Sequence, residues 1–161
     1  MKRWSMVLPA ALAALASSPL HAQAPSSGPE HIGHAQLQAA VTPAADAPPQ
    51  PMLAKLLGNR GHYTYIALRR TETGEPEVHE GWDDVMLVQA GGGTLLLGGA
   101  VQGGRVSAPG ELRGGEIRGG QRQPLAPGDL MIVPAGVPHQ VQLSPGESIT
   151  YLVIKVQRPG S

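Results

Sequence analysis

Two carboxylates and two histidines carry the chemistry this sequence offers. Glu77, His79 and Asp84 lie in "EVHEGWDDVMLVQAGGG", and His139 lies in "GDLMIVPAGVPHQVQL". In an extended strand, residues two apart share a face. Glu77 and His79 therefore point one way, with Val78 and Glu80 on the other side. Asp84 shares a face with Met86, Val88 and Ala90, and His139 with Val141 and Leu143. If those apolar faces line an interior, Asp84 and His139 stand at its mouth, and Glu77 and His79 can face the same mouth. A carboxylate buried there without compensation costs several kcal/mol. A divalent cation supplies that compensation, and two histidines with one or two carboxylates form a ligand set for non-haem Fe, Mn, Ni or Zn. Six of the twelve acids fall between Glu72 and Asp84 with no Lys or Arg among them, a local negative field that draws a cation. Each residue also has a plainer role open to it. Glu77 can pair with an arginine such as Arg69 or Arg118, and Asp84 can bond a turn amide. His79 and His139 can be ordinary strand histidines. Asp83 should face solvent, and Trp82 should pack at the rim.

The elements that must position these groups are strands. "HYTYIALRRT" (62–71) alternates and is rich in Tyr, Thr and Ile. Val85–Ala90 and Thr94–Leu97 are separated by three glycines, a hairpin signal. "LAPGDLMIVPAGVPHQVQL" reads as a turn, a strand, a second turn and a strand, and "SITYLVIKV" closes the series as a buried strand. Residues 98–123 carry repeated glycine pairs. They lack the strand–glycine–helix setting of a phosphate loop, so short strands with tight turns or a mobile flap fit better. "MLAKLLGN" (52–59) places Leu53, Leu56 and Leu57 on one face before a Gly-Asn stop, which predicts a short helix. Many short strands with almost no helix indicate a β-sandwich or barrel.

Composition agrees with that class. The chain has 161 residues with 22 Gly and 16 Pro, no Phe and no Cys, and a formal net charge of zero. One turn-rich domain without disulfides is expected. The balanced charge argues against nucleic acid and against electrostatic membrane docking. Residues 1–24 read as a signal peptide, with Lys2 and Arg3 ahead of the apolar run Met6–Ala16 and an Ala22-Gln23-Ala24 cleavage site. The mature protein is therefore expected to be soluble, in the periplasm or secreted. Residues 25–51 are Ala-, Pro- and Gln-rich and read as a flexible, disordered leader. "HIGHAQLQA" within it allows a turn or two of helix, and His31 and His34 should be solvated. Residues 52–161 make up the folded domain.

The motifs in that domain resemble those of the cupins. The second cupin motif, G-x5-P-x-G-x2-H-x3-N, is matched by Gly128, Pro134, Gly136 and His139, with Leu143 at the Asn position. The first, G-x5-H-x-H-x4-E-x6-G, is anchored on Gly91. That register puts Asp84 at the glutamate, His79 at the second histidine and Glu77 at the first, with Thr71 at the leading glycine. The resemblance covers roughly residues 62–157. It implies an all-β fold, a double-stranded antiparallel β-barrel of the jelly-roll kind, here with a short N-terminal helix. It implies a metal site on Glu77, His79, Asp84 and His139 holding Fe, Mn, Zn or Ni. It also implies a small-molecule substrate or ligand, and a homodimer touching through residues 52–58 or the first strand. The expected function is a small metal-dependent barrel enzyme with dioxygenase-, isomerase- or decarboxylase-like chemistry. The alternative is a metal-free barrel that binds a small ligand without turnover.

Overall fold

In a computed structural model, residues 25–160 are described; the signal-peptide reading of residues 1–24 lies outside them. The described residues form one helix, α1 (His34–Ala40), and thirteen strands. The strands are β1 (Met52–Asn59), β2 (Tyr63–Arg70), β3 (Glu77–His79), β4 (Trp82–Gly91), β5 (Gly93–Leu97), β6 (Ala100–Gln102) and β7 (Arg105–Ala108). They continue as β8 (Glu111–Arg113), β9 (Glu116–Arg118), β10 (Gln121–Leu125), β11 (Leu130–Val133), β12 (His139–Gln142) and β13 (Ile149–Gln157). A five-stranded sheet runs β1-β2-β13-β4-β11, and a six-stranded sheet runs β10-β5-β12-β3-β8-β7. β6 and β9 form a separate ribbon. Every strand pair is antiparallel.

Strict alternation builds the core between the two large sheets. Met86, Val88, Leu95, Leu125, Val133, Val141, Ile149, Tyr151 and Val153 form one buried cluster, and Leu143 packs against it. Their neighbours in sequence on β4 and β13 are only half-buried or exposed, which is the signature of a strand with one face inward. The turn before β11 is fixed by Asp129, whose carboxylate accepts from the Ala126 amide at 2.8 Å.

Two local expectations are corrected. Residues 52–59 form a strand, not a helix; the short N-terminal helix lies earlier, at α1. Eight residues are too few to hold a helix without tertiary support. Pairing with β2 satisfies their backbone instead, with a bulge between Leu56 and Gly58. The glycines after β4 do not close a hairpin, because β4 and β5 belong to different sheets. They turn a corner between the sheets. Gly91 has φ +71°, and a Cβ on it would lie 1.9 Å from the Ser148 carbonyl oxygen. Gly91→Ala should therefore cost about 3 kcal/mol or more from strain and overlap, read as a lower midpoint in urea unfolding. An unchanged midpoint would show that the corner can yield.

Part of the leader contacts the strands. The Ser26 amide donates to the Asn59 carbonyl at 2.9 Å, and Arg60 donates to the Ser26 and Gly28 carbonyls. Glu30 takes Arg60 and the Tyr65 hydroxyl, and Val41 is buried. Composition alone undervalued these contacts because they depend on partners in β2 and the β1–β2 turn. His31 and His34 are exposed, as expected of solvated side chains.

Asp83 supports the fold as well. Its Oδ1 accepts from the Ala135 amide at 2.7 Å and from Arg158 Nε at 2.8 Å. The Ala135 amide first, and then Arg158, hold its carboxyl below the ordinary aspartate value. A depressed folded-state pKa stabilises above the unfolded value and loses that contribution as pH falls through the folded one. Asp83→Asn should therefore lower stability at neutral pH and match the parent near pH 2, as followed by denaturant titration at several pH values. A constant gap across that range would mean the charge plays no part.

Candidate metal centre and cavity

Cross-strand pairing assembles the site. In register, Glu77 faces Arg113, His79 faces Glu111, His139 faces Glu77, and Asp84 faces Lys155. Directly opposed side chains lie within contact distance, so these four pairs follow from sheet register alone. β3, β8 and β12 bring Glu77, His79, Glu111, Arg113 and His139 from the six-stranded sheet. β2, β4 and β13 bring Arg70, Asp84, Tyr151 and Lys155 from the five-stranded one. The two motifs are also tied by their backbones, since the Gly136 amide donates to the His79 carbonyl at 2.8 Å.

Each expected site residue points inward. Glu77, His79 and His139 offer one ligand atom apiece, all within 4.8 Å of one another. The imidazole centroids are 5.2 Å apart. His79 Nδ1 lies 2.6 Å from a Glu111 oxygen, and His139 Nδ1 lies 3.1 Å from the Val137 carbonyl oxygen. A carbonyl can only accept, so His139 carries its proton on Nδ1, and neutral His139 leaves Nε2 as a lone pair. The same logic places the His79 proton on Nδ1 when that ring is neutral. Both Nε2 atoms then point toward the carboxylates as ligands, with their rings oriented from behind. His79 Nε2 is buried without a hydrogen-bond partner. An orphaned imidazole nitrogen beside carboxylates fits a divalent metal by donor chemistry.

Asp84 stands apart from the other three. Its Oδ2 is 3.5 Å from His79 Nε2 and 3.7 Å from His139 Nε2, while its Oδ1 is held by Lys155 Nζ at 2.6 Å. Asp84 and Lys155 are both buried. One oxygen thus faces the metal position and the other is neutralised by an internal cation. Glu77 is divided in the same way. Oε2 lies 3.4 Å from His79 Nε2, and Oε1 lies 2.8 Å from Arg113 and 3.5 Å from Arg70. Its arginine partners are these two, not Arg69 or Arg118; Arg118 pairs with Glu116.

The titration directions follow from these contacts. Burial alone would raise Glu77, but His79 and the Arg113 charge outweigh it and hold the carboxyl well below its usual range. Burial likewise opposes the charged form of His79, yet the Glu111 and Glu77 carboxylates carry its pKa upward. His139, with only a carbonyl behind it, is pushed down by burial and stays neutral. Glu111 is lowered despite burial by its bond to His79.

The site opens into a cavity with about 780 Å³ of atom-free space, its mouth included. Ile66, Leu68, Met86, Val141 and Val153 form an apolar wall, and Arg70, Arg113 and Lys155 share the polar end with Glu77, Asp84 and His139. Sequence reasoning missed Lys155, Arg70, Glu111 and Arg113. For the first two a signal existed. Lys155 alternates with Ile149, Tyr151 and Val153, and Arg70 with Ile66 and Leu68, so a charge at an inward position stood in view. Glu111 and Arg113 sit in a three-residue strand of the glycine-rich segment, whose register is set only by pairing to β3.

Comparison with known proteins agrees with this architecture. A family model described as an AraC-like ligand binding domain matches residues 118–159. No curated protein matches the chain. Among solved structures, a conserved protein of unknown function from Streptococcus pyogenes is similar at 17% identity and a TM-score of 0.51, covering 87% of this chain and 100% of that one. A predicted oxalate decarboxylase from Thermotoga maritima is similar at 11% identity and a TM-score of 0.50, over 66% of this chain and 81% of that one. A cupin 2 conserved barrel domain protein from Rhodopseudomonas palustris is similar at 18% identity and a TM-score of 0.49, over 74% of this chain and 70% of that one. The chain has the cupin fold: two antiparallel sheets closed on a barrel, with one short helix.

Proposed function

We propose that this barrel holds a divalent metal on Glu77, His79 and His139, with Asp84 beside them, and that it binds and transforms a small molecule there. The observation that carries the reading is the buried His79 Nε2, which makes no hydrogen bond although two carboxylate oxygens lie 3.4 and 3.5 Å away, while both Nδ1 atoms are engaged from behind. Two imidazoles and one carboxylate form the facial ligand set of non-haem Fe(II) sites, and Mn(II), Zn(II) and Ni(II) accept the same donors. A bound ion of this kind polarises a substrate oxygen or activates water or O₂. The chain's own residues do the rest. Glu111 fixes the His79 ring, the apolar wall excludes water, and the mouth admits a ligand of modest size. Oxygenation, isomerisation and decarboxylation are all open to such a site, and product analysis separates them. The chain's place would be the periplasm or the exterior, given the charged, apolar and Ala-x-Ala pattern of residues 1–24. Elemental analysis of protein purified without a His tag tests the metal. Near-stoichiometric Fe, Mn, Zn or Ni supports the reading; none after incubation with Fe(II) and Mn(II) removes it.

One observation favours the second reading, a metal-free barrel that binds its ligand without turnover. The inner carboxylates already have internal cations: Asp84 has Lys155, Glu77 has Arg70 and Arg113, and Arg113 also lies 3.7 Å from Glu111. Such a site is neutral without an ion. In that case the ligand affinity would be the same before and after metal addition.

We also propose a homodimer; the resemblance implies contact through residues 52–58 or the first strand, whereas the exposed apolar residues favour the outer face of the five-stranded sheet at its other edge. Leu130 and Ile132 on edge strand β11 are 59% and 61% exposed. In register they continue the half-buried Leu87 and Val85 into one apolar patch. A second copy covers such a patch symmetrically. Ile132→Glu should convert a dimer to a folded monomer, measured by light scattering with circular dichroism. A parent that is already monomeric at high micromolar concentration would end this assignment.

A further inference from the structure

The charges around the cavity indicate what it takes in. Three cations, Arg70, Arg113 and Lys155, and four acids, Glu75, Glu77, Asp84 and Glu111, line it. Glu75 is neutralised from outside, because Arg105 clasps both of its oxygens at 3.0 Å. The remaining three acids match the three cations. With neutral histidines, a divalent metal would leave the polar end with two positive charges in excess. A buried excess of charge demands a counter-ion. The arginines stand where such an ion would be met. Glu77 turns Oε2 to the histidines and Oε1 to Arg70 and Arg113, so the guanidiniums are one carboxylate away from the metal position. Arg113 is the more accessible, with a third of its side chain exposed at the mouth. Guanidinium groups match carboxylates through paired, charge-assisted hydrogen bonds. The apolar wall of Ile66, Leu68, Met86, Val141 and Val153 continues from Arg70 along β2 and its neighbours, with Ala54 also lining the cavity.

We infer that the ligand is a small organic acid with an apolar body, its carboxylate held at the Arg70–Arg113 end beside the metal and its hydrocarbon part against the β2, β4 and β13 wall. This inference rests on the metal reading above and extends it to a substrate class. A neutral sugar would leave the excess charge uncompensated and would wet the apolar wall. A cation would meet like charge. A very short acid would satisfy the arginines and leave the wall unfilled.

Isothermal titration with hexanoate, acetate, hexanamide and hexylammonium tests this on one preparation, metal-free and after Mn(II) loading. Metal content is measured separately on the same sample. Hexanoate should bind at least about tenfold more tightly than acetate and than hexanamide, and hexylammonium should not compete. Mn(II) should tighten hexanoate and leave hexanamide unchanged. Arg113→Gln, with its fold checked by circular dichroism and Arg70 still beside Glu77, should weaken hexanoate about tenfold and erase its advantage over hexanamide. Ala54→Trp should weaken hexanoate and spare acetate. A protein that takes up metal but binds hexanamide as well as hexanoate overturns the acid assignment and leaves the metal reading standing. A protein that takes up no metal, yet prefers hexanoate through Arg113, ends the metal reading and supports the acid. Indifference to charge in both forms overturns the inference outright.

Discussion

His139→Ala protein should take up divalent metal more weakly than the parent by more than the roughly 100-fold that loss of an outer-shell partner costs, and His79→Ala should do the same. The reasoning starts from the fixed tautomers. The Val137 carbonyl can only accept a proton, so neutral His139 presents Nε2 as a lone pair, and the Glu111 carboxylate does the same for His79. Alanine removes the donor and leaves nothing nearby to replace it. Glu111→Gln gives a graded result, about a 10- to 100-fold loss, because the amide orients the ring without the charge that makes it more basic. Asp84→Asn should have a smaller effect on metal affinity than any of these, since one Asp84 oxygen is already committed to Lys155. Competition with a chelator of known affinity measures all four. Equal affinities for the His139→Ala and parent proteins would mean that any bound metal sits elsewhere, with the solvated His31 and His34 as the first place to look. The order of the four losses matters as much as their size. A structural role for the histidines predicts altered unfolding without any ordering in metal affinity.

Much of this site was legible in the sequence, and the reason is the register of strands. A period of two placed Asp84 with Met86 and Val88, and His139 with Val141, and both pairs do point inward. Gly91 could anchor the first motif because its backbone cannot carry a side chain against Ser148. The errors share one cause, in that each depends on which distant segment a strand meets. Residues 52–59 carry leucines at helical spacing, but β2 offers them an edge. Three glycines after β4 look like a hairpin, but Ile149 and its neighbours already occupy the edge that β5 would need. Arg113 could not be distinguished from Arg118 as the partner of Glu77. Both lie in the glycine-rich segment, and only the Glu77–Arg113 register separates them. By sequence that segment fits short strands with tight turns or a mobile flap. It forms β6 to β9, and β8 supplies the residue behind His79 and one of the two arginines on Glu77.

Lys155→Met should destabilise the metal-free protein by about 3–5 kcal/mol, a fall in Tm of roughly 10–20 °C. Methionine preserves most of the lysine volume and its apolar stem, so packing against β4 changes little. What is lost is the charge 2.6 Å from Asp84, within a pair where both residues are more than nine-tenths buried. Asp84 is then left as a buried anion whose nearest remaining groups are two histidine Nε2 atoms at 3.5 and 3.7 Å. The Asp84→Asn, Lys155→Met double variant should recover most of the loss, because removing both charges removes the penalty. Metal then separates two accounts of this lysine. If Lys155 serves only the fold, divalent ions should stabilise the Lys155→Met and parent proteins equally. If it is the internal substitute for a cation at this site, the ion should restore the variant more than it stabilises the parent. At a hundredfold excess over Kd a bound ion contributes about 2.7 kcal/mol by mass action alone, and the variant should exceed the parent's gain. Thermal melts of the three proteins, with and without Mn(II), decide between these outcomes. A Lys155→Met protein as stable as its parent would mean that the Asp84–Lys155 contact does not hold the fold, and the charge balance assigned to the cavity would have to be redrawn around it.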